Sequence, residues 1–474
     1  MNKYIFLLLA GLSFSFSARS QGHKIEFNIE GVSSGDCILA HYYADQNRIV
    51  DTAEVSPKGK VVFQGDNKLL DGIYLLVIPN RTYIELVIPE DDQEFRIDFD
   101  TTLSVMNKKV YGSNENQIFL EFDQFAHEAS MQMRALKDKE EAAKNDKEKE
   151  EIEKEKAAID QTVKDKRLDI IAKHPTSFVA IVFQAGLEVK VPEELEKDTT
   201  GKRFLYYREH YWDNINLKED GLIRTPLFHR KLQYYFTKLH VQIADSIIPA
   251  IDMLAGKMEE SGSDELFKYT VWWTTKHYEE SKLMCMDRML WHMASNYYCA
   301  GRCFWADSAL VNKMCDHAAK IGPTLCHEVA PDLTLVDTTF VREYTLSKIE
   351  YPVTIVVFWD PECGHCKKEL PKLKELYDSM NSKGVQVYAV YTQGDWKGWK
   401  KYIREKGLTW INVMDAFNKS NFREKYHIIS TPQVIVLDEF KKIRFKNAPA
   451  ENLYEICDLL IEEFKERHPE ADQK

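Results

Sequence analysis

Short apolar runs that alternate with polar residues fill the chain from residue 24 to residue 110. A two-residue alternation is typical of strands that bury one face, and turn-forming sequences such as Ser-Ser-Gly and Pro-Lys-Gly separate the runs. Strands at this spacing predict an antiparallel β-sandwich over residues 22–112. Cys37, in the second run, is interpreted as a small buried residue. The runs are KIEFNIE, DCILAHYY, RIVDTAEV, GKVVFQG, GIYLLVI, TYIELVI and EFRIDFD.

The pattern changes from β to helical at residues 112–114, where Ser113 is suited to cap a helix. From there to about Lys173 the sequence is rich in Glu and Lys and carries a narrow apolar stripe with heptad-like steps. We expect a solvated helical hairpin or spacer here, and a coiled-coil dimer seam is the alternative. The stripe consists of Ile152, Ile159, Val163 and Ile170.

Residues 174–320 carry aromatic and aliphatic side chains at spacings of three and four, which is the period of a helix face. Most of the Trp and Tyr residues in this stretch are therefore predicted to lie in a helical core. Together with the charged hairpin, they predict an α-helical middle region over residues 113–320.

Buried strands alternate with helices in the last third of the chain. Val353–Trp359 is a continuous apolar run rich in β-branched residues, which is typical of a strand buried on both faces. Val385–Tyr391 repeats that pattern, Gln433–Leu437 opens a hairpin, and a helix is expected over Trp396–Lys406. This alternation predicts an α/β domain over residues 322–474.

The first 20 residues have the three parts of a secretory signal: a basic Lys3, an apolar stretch from Tyr4 to Phe16, and small residues up to Ser20. The apolar stretch is shorter than the roughly 20 residues that span a bilayer, and no cysteine follows it that could carry a lipid. We therefore expect residues 1–20 to be a signal peptide, and the protein to be exported to the periplasm without stable membrane insertion.

Composition and charge narrow the range of partners. The 474 residues are 44% hydrophobic and 12% aromatic, which suits several folded domains, and the formal net charge is −12. An acidic surface repels phosphate backbones and anionic lipids. Neither nucleic acid nor a membrane surface is therefore expected as a partner.

Cys363 and Cys366 form a C-x-x-C pair just after the first buried strand, where a helix is predicted to begin. The amides and dipole of a helix N-terminus stabilise a thiolate, so the pKa of Cys363 is expected to fall below the roughly 8.5 of a free thiol. Cys366, one turn further on, can then attack a mixed disulfide that Cys363 has formed. The pair is therefore predicted to be a redox-active disulfide.

Two other uses of a C-x-x-C pair fit this sequence poorly. Haem attachment requires His directly after the second cysteine, where this chain has Lys367. A structural zinc site requires two further ligands at a related spacing, and the chain has no second C-x-x-C. We therefore expect neither a metal nor any other cofactor at the pair.

Thr431-Pro432 comes directly before the later strand and is a candidate cis-proline loop. Together with the sequence FWDPECGHC and with Pro371 in the following helix, this pair makes residues 352–467 resemble a thioredoxin-like domain of the exported TlpA/ResA type. The β segment and the helical region, with its RTPLF sequence, are similar to domains of unassigned function found in the same exported family.

The resemblance implies a thiol-disulfide oxidoreductase that acts on protein thiols and disulfides and is recharged by a membrane or periplasmic redox partner. It implies Cys363 as the nucleophile and Cys366 as the resolving cysteine, with Thr431 and Pro432 aligning the substrate backbone. Trp359, four residues before the first cysteine, also matches the thioredoxin pattern, either as a substrate contact or as a core aromatic.

Neighbouring residues are expected to tune the dithiol. Gly364-His365 gives the CGHC sequence of protein disulfide isomerases, and a positive charge on His365 favours the thiolate and a more oxidising disulfide. Glu362 acts in the opposite direction. Thioredoxins carry a buried acid six residues before the first cysteine, where this chain has Val357. We expect Glu369 or Glu362 to take over its proton-transfer role.

Seven cysteines lie outside the CGHC sequence. We expect them to be mostly buried free thiols with at most one disulfide, for which Cys299 and Cys303 are the nearest pair. A zinc site that adds His292 or His327 is the less favoured alternative. The seven are Cys37, Cys285, Cys299, Cys303, Cys315, Cys326 and Cys457.

A second class of function also fits the sequence. The β and helical domains could form a binding or scaffold protein in which the dithiol is a passive redox sensor. A peroxidase is disfavoured because the Thr-x-x-Cys arrangement specific to peroxide chemistry is absent. Whether the dithiol reduces, oxidises or isomerises its substrates depends on the partner that recharges it.

Overall fold

The computed structural model of the chain describes residues 22–469, so the predicted signal peptide over residues 1–20 lies outside the described part. The described residues divide into two compact units. The first runs to Tyr235 and includes Ser261–Leu266, and the second consists of Phe236–Glu260 and the chain from Phe267 onward. Within the described residues, no helix is both long and apolar enough to cross a membrane.

Two four-stranded sheets form the predicted β-sandwich of the first unit. Successive side chains of a strand point to opposite faces of the sheet. In β7, Phe95, Ile97 and Phe99 are therefore buried in the core, and the polar residues between them are more exposed. Phe27 and Phe63 meet edge to face in this core, with ring centroids 6.1 Å apart. The sheet orders are β4-β1-β7-β8 and β3-β2-β5-β6, with β1 (His23–Glu30), β2 (Asp36–Tyr43), β3 (Gln46–Glu54), β4 (Lys60–Gly65), β5 (Gly72–Val77), β6 (Tyr83–Ile88), β7 (Glu94–Asp100) and β8 (Lys109–Tyr111).

One strand pair of the sandwich is parallel. β1 runs alongside β7 with Ile25 opposite Phe95 and Phe27 opposite Ile97. The other pairs that join these eight strands are antiparallel. A two-residue alternation is the same in both orientations, so the sequence could predict the sandwich without revealing this pair.

The charged segment forms the predicted hairpin of two long helices, α1 (Asn114–Ala142) and α2 (Asp146–Lys173). The Ser113 hydroxyl accepts a hydrogen bond from an amide in the first turn of α1, so the predicted cap is confirmed. Lys156 of α2 pairs with Glu140 of α1 and links the two helices.

Helices also make up the rest of the middle region, as the aromatic spacing predicted. The aromatic side chains of Trp212, Phe228 and Tyr235 are buried in the first unit. A turn of π-helix over Ala294–Tyr298 follows α9. The helices are α3 (Phe178–Ala185), α4 (Glu193–Glu196), α5 (Lys202–Glu209), α6 (Phe228–Lys238), α7 (Ala244–Ser261), α8 (Asp264–Glu279), α9 (Asp287–Met293) and α10 (Ser308–Ile321).

Two disulfides join cysteines of the second unit, Cys285 with Cys326 and Cys299 with Cys315. The expectation of mostly free thiols with at most one disulfide was therefore wrong. Cys299 bonds to Cys315 of α10 and not to Cys303, which is buried and free. The turn of π-helix ends at Tyr298 with Cys299 as its C-cap, and Cys303 lies beyond the helix, so the distorted helix end that the predicted pairing required does not join Cys299 to Cys303.

A seven-stranded mixed sheet forms the centre of the α/β domain. Every residue of the strand Val353–Trp359 is buried, and its alternate residues belong to hydrophobic clusters on opposite faces of the sheet, as predicted. The sheet order is β10-β9-β13-β12-β11-β14-β15, with β9 (Thr334–Asp337), β10 (Glu343–Thr345), β11 (Val353–Trp359), β12 (Val385–Tyr391), β13 (Ile411–Met414), β14 (Gln433–Leu437) and β15 (Ile443–Lys446). The helices beside it are α11 (Gly364–Met380), α12 (Trp396–Lys406), α13 (Phe422–Lys425) and α14 (Leu453–Arg467).

The sequence did not predict strand β13, because a polar residue interrupts its apolar run. Asn412 is nevertheless buried, and its amide nitrogen donates to the carbonyls of Leu408 and Trp410, 2.9 Å from each. Its side-chain oxygen accepts from the Trp410 indole nitrogen at 2.9 Å. These local partners allow a polar side chain inside a strand.

Arg224 opens the RTPLF sequence and is 2% exposed within the first unit. Its guanidinium donates to the backbone carbonyl and to the carboxylate of Asp71, and to the carboxylate of Glu265 at 3.0 Å. A cation needs such partners when it is buried, because its removal from water costs several kcal/mol. Arg224 therefore links the start of β5 to the first turn of α8.

Replacing Arg224 by Met should lower the free energy of unfolding by about 3 kcal/mol, because the change leaves two carboxylates side by side without their cation. Denaturant unfolding followed by circular dichroism measures this effect. Arg230→Met makes the same chemical change at an exposed arginine of α6 and should change the free energy by no more than about 0.5 kcal/mol. Equal stabilities of the two variants would contradict the role given to Arg224.

Candidate active site

The dithiol lies between the end of β11 and the start of α11. Cys363 is the N-cap residue of α11, with an extended backbone (φ −70°, ψ 124°), and the amide nitrogen of Cys366 lies 3.5 Å from its sulfur. Asp360 holds the preceding turn, because its carboxylate accepts from the Glu362 amide at 2.9 Å and its carbonyl from the Cys363 amide at 3.1 Å. The predicted position of the first cysteine at a helix N-terminus is confirmed.

The two sulfurs have different surroundings. Cys366 is 1% exposed and belongs to the hydrophobic cluster under α11, and this burial raises its pKa to about 12. Cys363 is only partly buried. An incoming disulfide can therefore reach Cys363, whereas Cys366 is accessible chiefly to Cys363.

Opposing effects set the acidity of Cys363. Partial burial alone raises its pKa, but hydrogen bonds from the Thr431 side chain and from the amides of Cys366 and His365 outweigh that effect. The net result is a pKa below the ordinary value of a thiol, because these donors stabilise the charged form. The more accessible sulfur is thus also the more acidic one.

The loop before β14 lies against the first cysteine. β14 pairs with β11, and this pairing brings the loop to the end of the sheet where the dithiol lies. The Thr431–Pro432 peptide bond is cis, as predicted, and the Cys363 sulfur lies 3.1 Å from the Thr431 carbonyl oxygen. The structure therefore brings Cys363, Cys366, Thr431 and Pro432 to one place.

The residues predicted to tune the dithiol lie on its exposed side. Gly364, His365 and Glu362 are all exposed. The Glu362 carboxylate is 3.4 Å from the Lys367 ammonium group, so a neighbouring cation offsets part of its charge. His365 acts on Cys363 through its backbone amide, and tuning by its imidazole ring stays a prediction.

Trp359 lies in the core and away from the surface. Its side chain is fully buried, with ring centroids 5.4 Å from that of Tyr402 and 6.4 Å from that of Tyr391. Its indole nitrogen has no hydrogen-bond partner among residues 22–469. Of the two interpretations given to this residue, the geometry favours the core aromatic over the substrate contact.

A cleft of about 760 Å³ runs beside the cis-proline loop; Ser430 and Pro432 line it, whereas Cys363 and Cys366 do not. Val357, which occupies the position of the acid found in thioredoxins, lines this cleft together with Glu369 and Pro432. The Glu369 carboxylate is partly exposed and lies 3.0 Å from the Lys372 ammonium group. Of the two acids predicted to take over proton transfer, Glu369 therefore faces the cleft, whereas Glu362 projects into solvent.

The sequence did not predict the second wall of this cleft. Residues between Tyr278 and Leu290, around the connection from α8 to α9, form that wall. The sequence shows Cys285 in this segment, but its bond to Cys326, which places the segment beside the α/β domain, is known only from the structure. A pairing across 41 residues leaves no local signal.

Among the residues that the structure describes, no group of three or more His, Cys, Asp or Glu side chains is arranged to hold a metal ion. His292, considered above as a zinc ligand, instead lies 2.8 Å from the Asp252 carboxylate and 2.7 Å from the Asn296 side-chain amide. Four of the cysteines considered for such a site form disulfides. These residues therefore do not make the alternative zinc site.

Three families match successive parts of the chain. Residues 326–446 match the AhpC/TSA family, and this range contains β11, the dithiol and the cis-proline loop. Residues 139–318 and 23–119 match two domains of unknown function, DUF5106 and DUF4369. The dithiol thus lies within the match to the AhpC/TSA family and outside the two matches to domains of unknown function.

Proteins with similar sequences are named as thiol-disulfide oxidoreductases. Sporulation thiol-disulfide oxidoreductase A of Bacillus subtilis is 32% identical over 108 residues, which are 22% of this chain and 64% of that protein. Thiol-disulfide oxidoreductase ResA of Geobacillus thermodenitrificans is 27% identical over 127 residues, 27% of this chain and 68% of that protein. The thioredoxin domain of a thiol-disulfide oxidoreductase from Bacteroides vulgatus is 28% identical, with 29% of this chain and 97% of that one covered and a TM-score of 0.27.

Alkylation of the reduced protein near neutral pH should label Cys363 and leave Cys366 unlabelled, because the pKa of Cys363 is lowered and that of Cys366 is raised to about 12. The rate at Cys363, followed by mass spectrometry, should rise with pH with a midpoint below that of an ordinary free thiol. Cys457 is an internal control, since burial raises its pKa to about 12. Equal labelling of Cys363 and Cys366 would rule out the asymmetry described above.

Proposed function

We propose that this chain, whose C-terminal part is a thioredoxin-like domain of the AhpC/TSA family, is a thiol-disulfide oxidoreductase that acts on protein thiols and disulfides outside the cytoplasm. The observation that carries the proposal is the asymmetry of the dithiol: an acidic, accessible Cys363 precedes a buried Cys366 whose pKa is about 12. A cysteine pair that only senses redox state does not require two thiols of different acidity and accessibility. A catalytic pair does, because one thiol attacks the substrate and the other resolves the mixed disulfide.

The reaction proceeds in two exchanges. The Cys363 thiolate attacks one sulfur of a substrate disulfide, forms a mixed disulfide with it and releases the other substrate sulfur as a thiolate, which takes up a proton. Cys366 then loses its proton and attacks the Cys363 sulfur, which forms the Cys363–Cys366 disulfide and releases the second substrate thiol. The substrate disulfide is reduced and the dithiol is oxidised, so a redox partner must restore it.

The second exchange needs a base, because a thiol with a pKa of about 12 is protonated at neutral pH. Glu369 is three residues beyond Cys366 in α11 and lines the cleft with Val357. Glu369 is therefore the side chain best placed to accept the Cys366 proton, directly or through a water molecule in the cleft. In this proposal Glu369 takes the role of the buried acid that thioredoxins have at the position of Val357.

Two further features support action outside the cytoplasm. Residues 1–20 have the pattern of a secretory signal. The two disulfides outside the CGHC sequence fit an oxidising compartment, because such bonds are rarely kept in the cytosol. The redox partner that recharges the dithiol is therefore expected in the periplasm or in the membrane that faces it.

Cys363→Ser should lower the rate of insulin reduction by dithiothreitol to the rate without protein, because the serine hydroxyl cannot exchange with a disulfide. Cys366→Ala should instead accumulate mixed disulfides between Cys363 and exported proteins, which non-reducing gels and mass spectrometry detect. Cys37→Ser, at a buried thiol outside the CGHC sequence, is the matched control. Equal insulin reduction by wild type and Cys363→Ser, with no trapped species, would favour the redox-sensing alternative.

Glu369→Gln should slow the release of the mixed disulfide by about tenfold or more at neutral pH while leaving the first attack unchanged, because only the second exchange requires deprotonation of Cys366. Rapid-quench kinetics with a labelled peptide disulfide separates the two steps. The slow release should recover as the pH is raised, since hydroxide then removes the proton. Glu362→Gln, at the exposed acid, is the control, and an equal effect of both changes would remove Glu369 from this role.

A further inference from the structure

The cleft beside the cis-proline loop has walls from two parts of the second unit. One wall belongs to the α/β domain and includes Ile429 and Pro432. The other is the connection between α8 and α9 and includes Leu283 and Met284. The connection lies within residues 139–318, which match a domain of unknown function.

Apolar side chains on both walls remain open to solvent. Ile429 is 79% exposed, Leu283 is 50% exposed and Met284 is 41% exposed. An apolar partner that covers them gains in proportion to the area removed from water. Neither methionine nor leucine is branched at Cβ, so both side chains can change rotamer, and methionine in particular adapts to side chains of different shapes. Leu283 and Met284 can therefore contact partners of different sequence.

The wall that carries Leu283 and Met284 is fixed to the sheet. The next residue, Cys285, is bonded to Cys326, and its sulfur lies 3.5 Å from the Arg444 carbonyl of β15. Asp287, two residues further on, pairs with Lys446 at the end of the same strand. These bonds hold the two apolar side chains at a constant position along the cleft.

We propose that Leu283 and Met284 bind an extended apolar segment of the polypeptide substrate while its cysteine is bonded to Cys363. The inference rests on the oxidoreductase function proposed above and assigns its substrate class: protein or peptide disulfides flanked by apolar residues. It gives this part of the helical region a role in substrate selection, with the Cys285–Cys326 disulfide as the device that positions it.

The position of the Cys363 sulfur favours a polypeptide as the ligand of the cleft. A substrate cysteine bonded to Cys363 lies beside the Thr431 carbonyl, and the neighbours of Thr431, Ser430 and Pro432, line the cleft. A chain that continues from that cysteine past Ser430 or Pro432 therefore reaches the cleft, although Cys363 itself does not line it. The cleft is lined by polar as well as apolar groups, which provide partners for a peptide backbone as well as for apolar side chains.

The test compares two synthetic peptides that each contain one disulfide, flanked by Leu and Val in the first and by Ser and Gly in the second, with dithiothreitol as the final reductant. Wild type should reduce the apolar peptide with a KM about tenfold lower than that of the polar one, and Leu283→Ser/Met284→Ser should remove this difference without changing kcat. The control Val241→Ser/Ile243→Ser changes two exposed apolar residues of the same unit that do not line the cleft, and it should keep the difference.

A small aromatic disulfide, dithionitrobenzoate, separates failure of the inference from failure of the proposed function. It is mixed with protein that has been pre-reduced and freed of dithiothreitol, so the dithiol supplies the two electrons and the rate of this single turnover is measured. If wild type reduces neither this reagent nor the peptides, both are overturned. If all variants reduce the reagent at the same rate and Leu283→Ser/Met284→Ser retains the preference for the apolar peptide, the inference alone is overturned. An equal loss of rate on the reagent and on both peptides also overturns it, because that result reports damage to the dithiol and not to a binding surface.

Removing the positioning disulfide provides a second, independent variant. Cys285→Ser/Cys326→Ser should raise the KM for the apolar peptide severalfold and leave the reduction of dithionitrobenzoate unchanged. Cys299→Ser/Cys315→Ser removes the other disulfide of the same unit and is the matched control. If the two double variants have the same KM for the apolar peptide, the Cys285–Cys326 bond does not position the wall.

Discussion

The hydrogen bonds that the start of α11 offers to the Cys363 sulfur are the interaction on which the site depends. A helix begins with amides that have no partner within the helix, and here the residue at the cap is a thiol. The amide of Cys366 and the Thr431 side chain favour its charged form against the effect of partial burial. Without a helix that starts at this residue, Cys363 would be an ordinary surface thiol, largely protonated at neutral pH.

The buried sheet fixes the position at which α11 starts. It also gives the sulfurs of Cys363 and Cys366 different burial and therefore different acidity. β11 is covered on both faces, so the turn at Asp360 can hold Cys363 in one orientation. Cys366 lies one helical turn further on, in the same hydrophobic cluster as Val357. The apolar packing that stabilises the domain therefore also raises the pKa of Cys366, the resolving thiol of the proposed mechanism.

Local signals in the sequence predicted the elements that hold the dithiol. The bounds of β11, β12, α12 and β14 agree with the predicted ones, and the cis bond before Pro432 was expected from the resemblance to thioredoxin-like domains. Features that depend on distant pairs were not predictable in this way: the parallel β1–β7 pair, the partners of Cys285 and Cys299, and the cleft wall. Strand β13 was missed for a local reason, since a buried Asn412 resembles a loop residue until its partners are known.

The Cys285–Cys326 bond has a consequence for how the C-terminal domain can be studied alone. A fragment that begins at residue 322 retains Cys326 and loses its partner, so it carries a free thiol that is bonded in the intact chain. Exchange of that thiol with the Cys363–Cys366 pair adds pairings that the intact chain does not have, and a redox titration of the fragment would then follow a mixture of them. Midpoints obtained from fragments of this kind describe a different redox couple from the one in the intact chain.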